Sequence, residues 1–138
     1  MSSEQNKALF RRAIEAANAG DYATVWDLFT EDCEIIDHTG TPKTKQEFKA
    51  DMEAWYNAAP DFHVKVEDVI ADGDRVAGRY TETGTWTGPF MGMEPTGKAF
   101  SYPAIEIWRI TNGKITGMWM ARDLLTWSTQ MGIVPATG

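Results

Sequence analysis

Apolar positions recur every three or four residues in the first half of the chain and every second residue afterwards. Leu9, Phe10, Ala13, Ile14 and Ala17 form one helical stripe, so residues 4–19 are predicted as a helix, with Gly20 where a C-terminal glycine belongs. Asp21 is placed to cap a second, short helix through Trp26, Leu28 and Phe29. A short strand runs from Cys33 to Asp37 and ends in His38. A third helix starts near Thr44, turns Phe48, Met52, Trp55, Tyr56 and Ala59 inward, and stops before Pro60. From Phe62 the pattern is that of strands, 62–71, 75–87, 99–110 and 114–122, separated by Asp72-Gly73-Asp74, by the loop 88–97 and by Asn112-Gly113. Asp123 caps a last helix, 124–131, which ends at Gly132. Helices followed by a long antiparallel meander make an α+β pattern, with the helices covering one face of a curved sheet.

The 138 residues suit one domain with a single core or a central pocket. A net charge of −7 without a basic stripe leaves nothing to neutralise phosphates, so no nucleic-acid partner is expected. The lone Cys33 cannot form a disulfide framework and reads as a small buried hydrophobe in a reducing compartment. The N-terminus MSSEQNKALFRR has no apolar signal region and nothing downstream approaches a membrane span, so the expected location is the cytoplasm, with no membrane partner. Two distant histidines, one cysteine and no H-E-x-x-H or C-x-x-C spacing give no metal site, and no phosphate-binding or dinucleotide glycine motif is present. No cofactor is expected.

The candidate chemistry lies among carboxylates in apolar strands. Glu106 is flanked by Ile105, Ile107 and Trp108. It either faces water or sits in a greasy cavity, where desolvation would raise its pKa and suit it to proton transfer. Glu82 shares strand parity with Val76, Tyr80 and Trp86, so it looks the same way if no bulge intervenes at Gly84. Asp37 and His38 are a second candidate, a carboxylate able to orient an imidazole, although neighbours on a strand point to opposite faces. His63 is read as a surface residue. Asp123 is either a helix cap or a catalytic group. Trp55, Tyr56, Tyr80, Trp86, Phe90, Met91, Met93, Tyr102, Trp108, Met118 and Met120 are the expected lining of a pocket for a flat hydrophobic ligand, or else simply fill a core. Phe90-Met91-Gly92-Met93, bracketed by Gly88-Pro89 and Pro95, reads as a flexible lid.

DHTGTP at position 37, the block TGPFMGMEPTGK, the hairpin IEIWRITNGKI and the closing QMGIVP resemble the SnoaL-like polyketide cyclases of the nuclear transport factor 2-like superfamily. The resemblance covers nearly the whole chain. It implies a cone of strongly bent antiparallel sheet plugged by three helices, a central pocket, and a homodimer through the sheet. It also implies intramolecular aldol chemistry without metal or organic cofactor. Ring-closing members carry an acid/base aspartate seven residues after the hairpin glycine, and here that position is Met120. Glu106 takes the place of an assisting histidine, Trp86 that of a frequent histidine, and Asp123 matches a common family aspartate.

The hairpin register decides which face Glu106 occupies. A two-residue turn at Asn112-Gly113 pairs it with Trp119, whereas a three-residue loop pairs it with Met118 and Ala104 with Met120. The resemblance favours the second. The leading expectation is a cofactor-independent cyclase or isomerase of an aromatic or polycyclic ketone, with Glu106 removing a proton beside a carbonyl and His38, with Asp37 or a tyrosine, bonding the enolate. The alternatives are a non-catalytic module that binds a hydrophobic ligand or acts as a dimeric scaffold, and an epoxide hydrolase-like enzyme.

Overall fold

The structure is a computed structural model and describes residues 2–134; Pro135 of the closing motif lies outside the described residues. The order is α1 (Ser3–Asn18), α2 (Tyr22–Leu28), β1 (Phe29–Ile36), β2 (Pro42–Lys43), α3 (Lys45–Ala58), β3 (His63–Asp72), β4 (Arg75–Thr85), β5 (Ala99–Thr111), β6 (Lys114–Arg122) and α4 (Leu124–Gln130). The predicted α+β class holds. None of these helices is long and apolar enough to cross a membrane.

Local chemistry sets the helix boundaries. Ser2 and Gln5 close a capping box on α1, Thr44 and Glu47 one on α3, each satisfying two otherwise orphan N–H groups. Asp21 and Asp123 accept from Thr24 N and Thr126 N and so start α2 and α4. Phe29 does not end the second helix as expected. It opens β1, which is longer than the strand predicted from Cys33, because its ring packs with Trp26 and Phe48 beneath the sheet.

The sheet runs β2-β1-β6-β5-β4-β3. The four long strands form the expected antiparallel meander, while β1 joins β6 in parallel, so the sheet is mixed. Helix α1 packs across β3 and β4. There the bare Cα of Gly78 admits the Phe10 ring, which lies 4.3 Å from Trp108 between centroids.

Neither expected hairpin register is correct. Asn112 and Gly113 both have positive φ, 51° and 76°, the pair a type I′ turn requires. That two-residue turn sets Thr111 opposite Lys114 and Ile110 opposite Ile115. Thr116 is then an extra residue, a bulge, and pairing resumes at Arg109–Gly117. Glu106 therefore lies opposite Met120, and Ala104 opposite Arg122. The inserted residue turns Met118, Met120 and Arg122 to the helix-covered face; an unbroken two-residue hairpin would have turned them out.

Candidate active site

On the inner face, three neighbouring strands present Tyr80, Ala104 and Arg122 in one row across β4, β5 and β6. Glu82 lies one step along β4 on one side of that row, and Glu106 one step along β5 on the other. The methyl of Ala104 leaves room for the Arg122 side chain to reach both. Arg122 Nε donates to Glu82 Oε1 at 3.2 Å, and Nη2 lies 3.6 Å from Glu106 Oε2. Tyr102 donates its hydroxyl to Glu82 Oε2 at 3.0 Å. Tyr80 Oη and Trp108 Nε1 both donate to Glu106 Oε1, each at 3.0 Å. The two carboxylates are almost wholly buried, 1% exposed for Glu82 and 6% for Glu106.

Burial raises the Glu106 pKa, and the Glu82 charge adds to that, while Arg122 and the bonds from Trp108 and Tyr80 act against it. One guanidinium cannot neutralise two carboxylates. Burial works to lower the Arg122 pKa, but the two glutamates outweigh it and hold the group firmly charged. Burial likewise lifts the hydroxyls of Tyr80, Tyr102 and Tyr56, and Tyr80 and Tyr102 stay protonated as donors to the two glutamates. The arrangement can hold one labile proton on a dry carboxyl group beside a fixed positive charge.

These groups open onto a cavity of about 70 Å³. Its apolar wall comes from Ala13, Ile14 and Ala17 of α1, Val25 and Trp26 of α2, and Phe48, Met52 and Tyr56 of α3, with Phe29, Phe62, Val64, Trp108 and Met118 from the strand side. Of the expected lining, Tyr56, Tyr80, Trp108 and Met118 face this cavity. Met120 is buried in the same core without lining it. Trp55, Trp86, Phe90, Met93 and Tyr102 belong to a second aromatic cluster with Phe100, Trp127 and Met131. Trp55, Trp86 and Phe90 lie there because α4 folds back over that end of the sheet and its Trp127 takes up their rings, at 5.3, 6.1 and 6.2 Å between centroids.

The segment expected to be a lid is built otherwise. Phe90 and Met93 exchange two backbone hydrogen bonds around Met91 and Gly92, both with positive φ, and Phe90 packs on Trp55. Thr87 and Gly88 donate to Ala58 O at the end of α3. Met91 projects into solvent rather than over the cavity.

Asp37 and His38 do not form a dyad. Asp37 Oδ1 accepts from Thr39 N, Thr39 Oγ1 and Thr41 N, which ties down the loop after β1. Burial opposes its ionisation, but these bonds prevail and its pKa is lowered. His38 is exposed on that loop and does not line the cavity; partial desolvation of its ring and the Arg122 charge lower its pKa. Asp123 is the cap of α4, bonded to Thr126 through both oxygens, and those bonds lower its pKa. His63 is on the surface, as expected. Among the described residues no cluster of three or more His, Cys, Asp or Glu could hold a metal ion.

Sequence reasoning overlooked Arg122. Its signal was parity: it follows Met118 and Met120 at two-residue steps on β6, so a strand that turns those methionines inward turns the arginine inward too.

The profile of the SnoaL-like polyketide cyclases matches residues 7–131. No curated protein shows significant similarity to the chain. Among solved structures, AclR of Streptomyces galilaeus, described as a candidate hydroxylase, is 28% identical with a TM-score of 0.92, covering 99% of this chain and 87% of its own. IdmH of Streptomyces antibioticus, described as a candidate polyketide cyclase, is 29% identical with a TM-score of 0.83 over 93% and 99%. A candidate polyketide cyclase of Pseudomonas putida is 27% identical with a TM-score of 0.75 over 89% and 95%. A profile match over that span, together with the shared fold, shows that the chain belongs to the SnoaL-like polyketide cyclase family.

Proposed function

We propose that the protein is a cofactor-independent cytoplasmic enzyme that moves a proton beside a carbonyl of an aromatic or polycyclic ketone, closing or isomerising a ring. Ionised Glu106 takes the proton from carbon. The enolate oxygen is held by the Arg122 guanidinium, the group that assumes the role expected of His38. In an isomerisation Glu106 returns its proton to another carbon. In a ring closure the enolate carbon attacks a second carbonyl and the proton goes to the new alkoxide. The observation that carries this reading is a buried carboxyl with a raised pKa lining an apolar cavity beside a fixed cation. The test is the Glu106 pKa by carboxyl-edited NMR or infrared spectroscopy, with Glu106→Gln assigning the signal. A value near the ordinary 4.3 or so would remove the proton-transfer role. With aromatic polyketide ketones as substrates, Glu106→Gln is expected to lose about 10²–10⁴-fold in turnover.

Met120 favours a second reading, a pocket that binds a hydrophobic ligand without turnover, because it brings a thioether where ring-closing relatives carry their carboxylate. The same substrates bound equally by parent and Glu106→Gln, with no conversion by either, would establish that reading.

The outer face of the sheet supports a homodimer. Ile105 and Ile107 are 51% and 41% exposed and lie opposite Ala121 and Trp119, whose neighbour across β1 is Ile36. A contiguous apolar stripe on an otherwise acidic chain is a surface for a second copy.

A further inference from the structure

The inner cavity, at about 70 Å³, has room for a few waters at most, far short of the ~300 Å³ and upward of an enclosed ring ligand. Directly outside it, a groove of about 490 Å³ runs between α2 and α3. Trp26 and Tyr56 line both spaces, so the partition is side chain rather than backbone. Tyr22 on α2 stacks on Tyr56 of α3, with ring centroids 4.3 Å apart and planes within 15°. Among the described residues, neither hydroxyl is hydrogen-bonded to the protein, so ring contact alone closes the pair.

We propose that groove and cavity are two halves of one ligand site, joined when the Tyr56 ring leaves Tyr22, and that the occupant is an uncharged, flat ring system. The incoming ring takes the place of Tyr22 on the Tyr56 face and passes Trp26, so that its leading edge meets Arg122 and Glu106. Charge in the groove and desolvation in the cavity select against ions. In the groove Lys45 is spent on Glu31, at 2.8 Å, and on the Phe29 carbonyl. Asp27 and Glu53 then outnumber Lys49, which opposes an anion, and the apolar wall of the cavity penalises any ion through desolvation. The outer edge of the ligand is left to hydrogen-bond Gln46 and Lys49. A carbonyl on the leading edge rests on the proton-transfer reading above; the route does not.

Exchange of the Trp108 indole N–H, which is bonded to Glu106 at the inner wall, reports water passing the partition without any ligand. Tyr22→Ala is expected to speed that exchange at least tenfold while leaving the Trp86 indole, bonded to the Gly88 carbonyl in the other aromatic cluster, unchanged. Tyr22→Leu is the volume-keeping second variant, and Tyr56→Phe, which keeps the stack, should exchange like the parent. Titrated 1,8-dihydroxyanthraquinone should shift the indole signals of Trp26 and Trp108 but not that of Trp86. It should do so in Glu106→Gln as well, which separates failure of the chemistry from failure of the route. Unchanged Trp108 exchange in both Tyr22 variants, or a probe that leaves Trp26 unshifted, would overturn the proposal.

Discussion

Arg122 is bonded to Glu82, Nε to Oε1 at 3.2 Å, and only approaches Glu106, at 3.6 Å. The guanidinium is thus spent mainly on one of the two carboxylates it faces. Glu106 is left with less compensation, and burial raises its pKa.

The raised pKa makes stability depend on pH. Between the unfolded and folded values the native state holds more protons than the unfolded chain, so stability falls as pH rises through that window. Below it the effect is absent, and above it the full penalty applies. Glu106→Gln mimics the protonated form, so its stability relative to the parent should grow with pH, by about 1.4 kcal/mol for each unit by which the pKa is raised. Urea unfolding of both proteins from pH 4 to 9 measures the gap; a constant gap would contradict the assignment.

Removing the cation should be costly. Arg122→Met leaves two buried carboxylates facing each other, a loss of about 3–5 kcal/mol in stability at neutral pH. The deficit should shrink in acid, where the Glu106 carboxyl with its raised pKa is protonated, and adding Glu82→Gln should recover part of it. Chemical denaturation of the single and double variants at two pH values is the measurement.

Tyr80 donates to the charged form of Glu106. Tyr80→Phe should therefore raise the carboxyl pKa further and cost about 1 kcal/mol. The infrared band of the protonated acid should persist to higher pH than in the parent. A band that titrates earlier would show that the hydroxyl does not stabilise the carboxylate.

A Cβ on Gly78 would overlap the Phe10 ring. Gly78→Ala is expected to destabilise by about 1–3 kcal/mol through the displaced ring, and to loosen the seat of α1 on Trp108. A lowered thermal midpoint together with altered Trp108 signals distinguishes this from a change confined to the strand.

Ile107→Lys places a charge at the centre of the outer apolar stripe. Light scattering on a size-exclusion column should find the parent dimeric and the variant monomeric, with unchanged secondary structure. A parent that elutes as a monomer at high micromolar concentration would remove the dimer.

Much of the fold is legible because it is local. Each helix start is a Ser, Thr or Asp whose side chain finds an N–H three residues on, and that interaction needs no distant partner. The alternation in β5 is equally plain, and it puts Tyr102, Ala104, Glu106 and Trp108 on one face whatever they pack against. The carboxylates were therefore visible as candidates.

What they face was decided elsewhere in the chain. A single extra residue, Thr116, turned Arg122 inward, and local pattern cannot reveal a bulge when both faces of the strand are rich in apolar residues. Whether an aromatic lines a cavity or fills a core depends on which helix covers it: α4 took Trp55, Trp86 and Phe90, while α1, α2 and α3 closed the cavity around Tyr56 and Trp108. Composition and periodicity settle which side chains leave water, because that free energy scales with each side chain's own apolar surface. Their partners inside depend on register and packing between segments far apart in sequence, and only the tertiary structure holds that information.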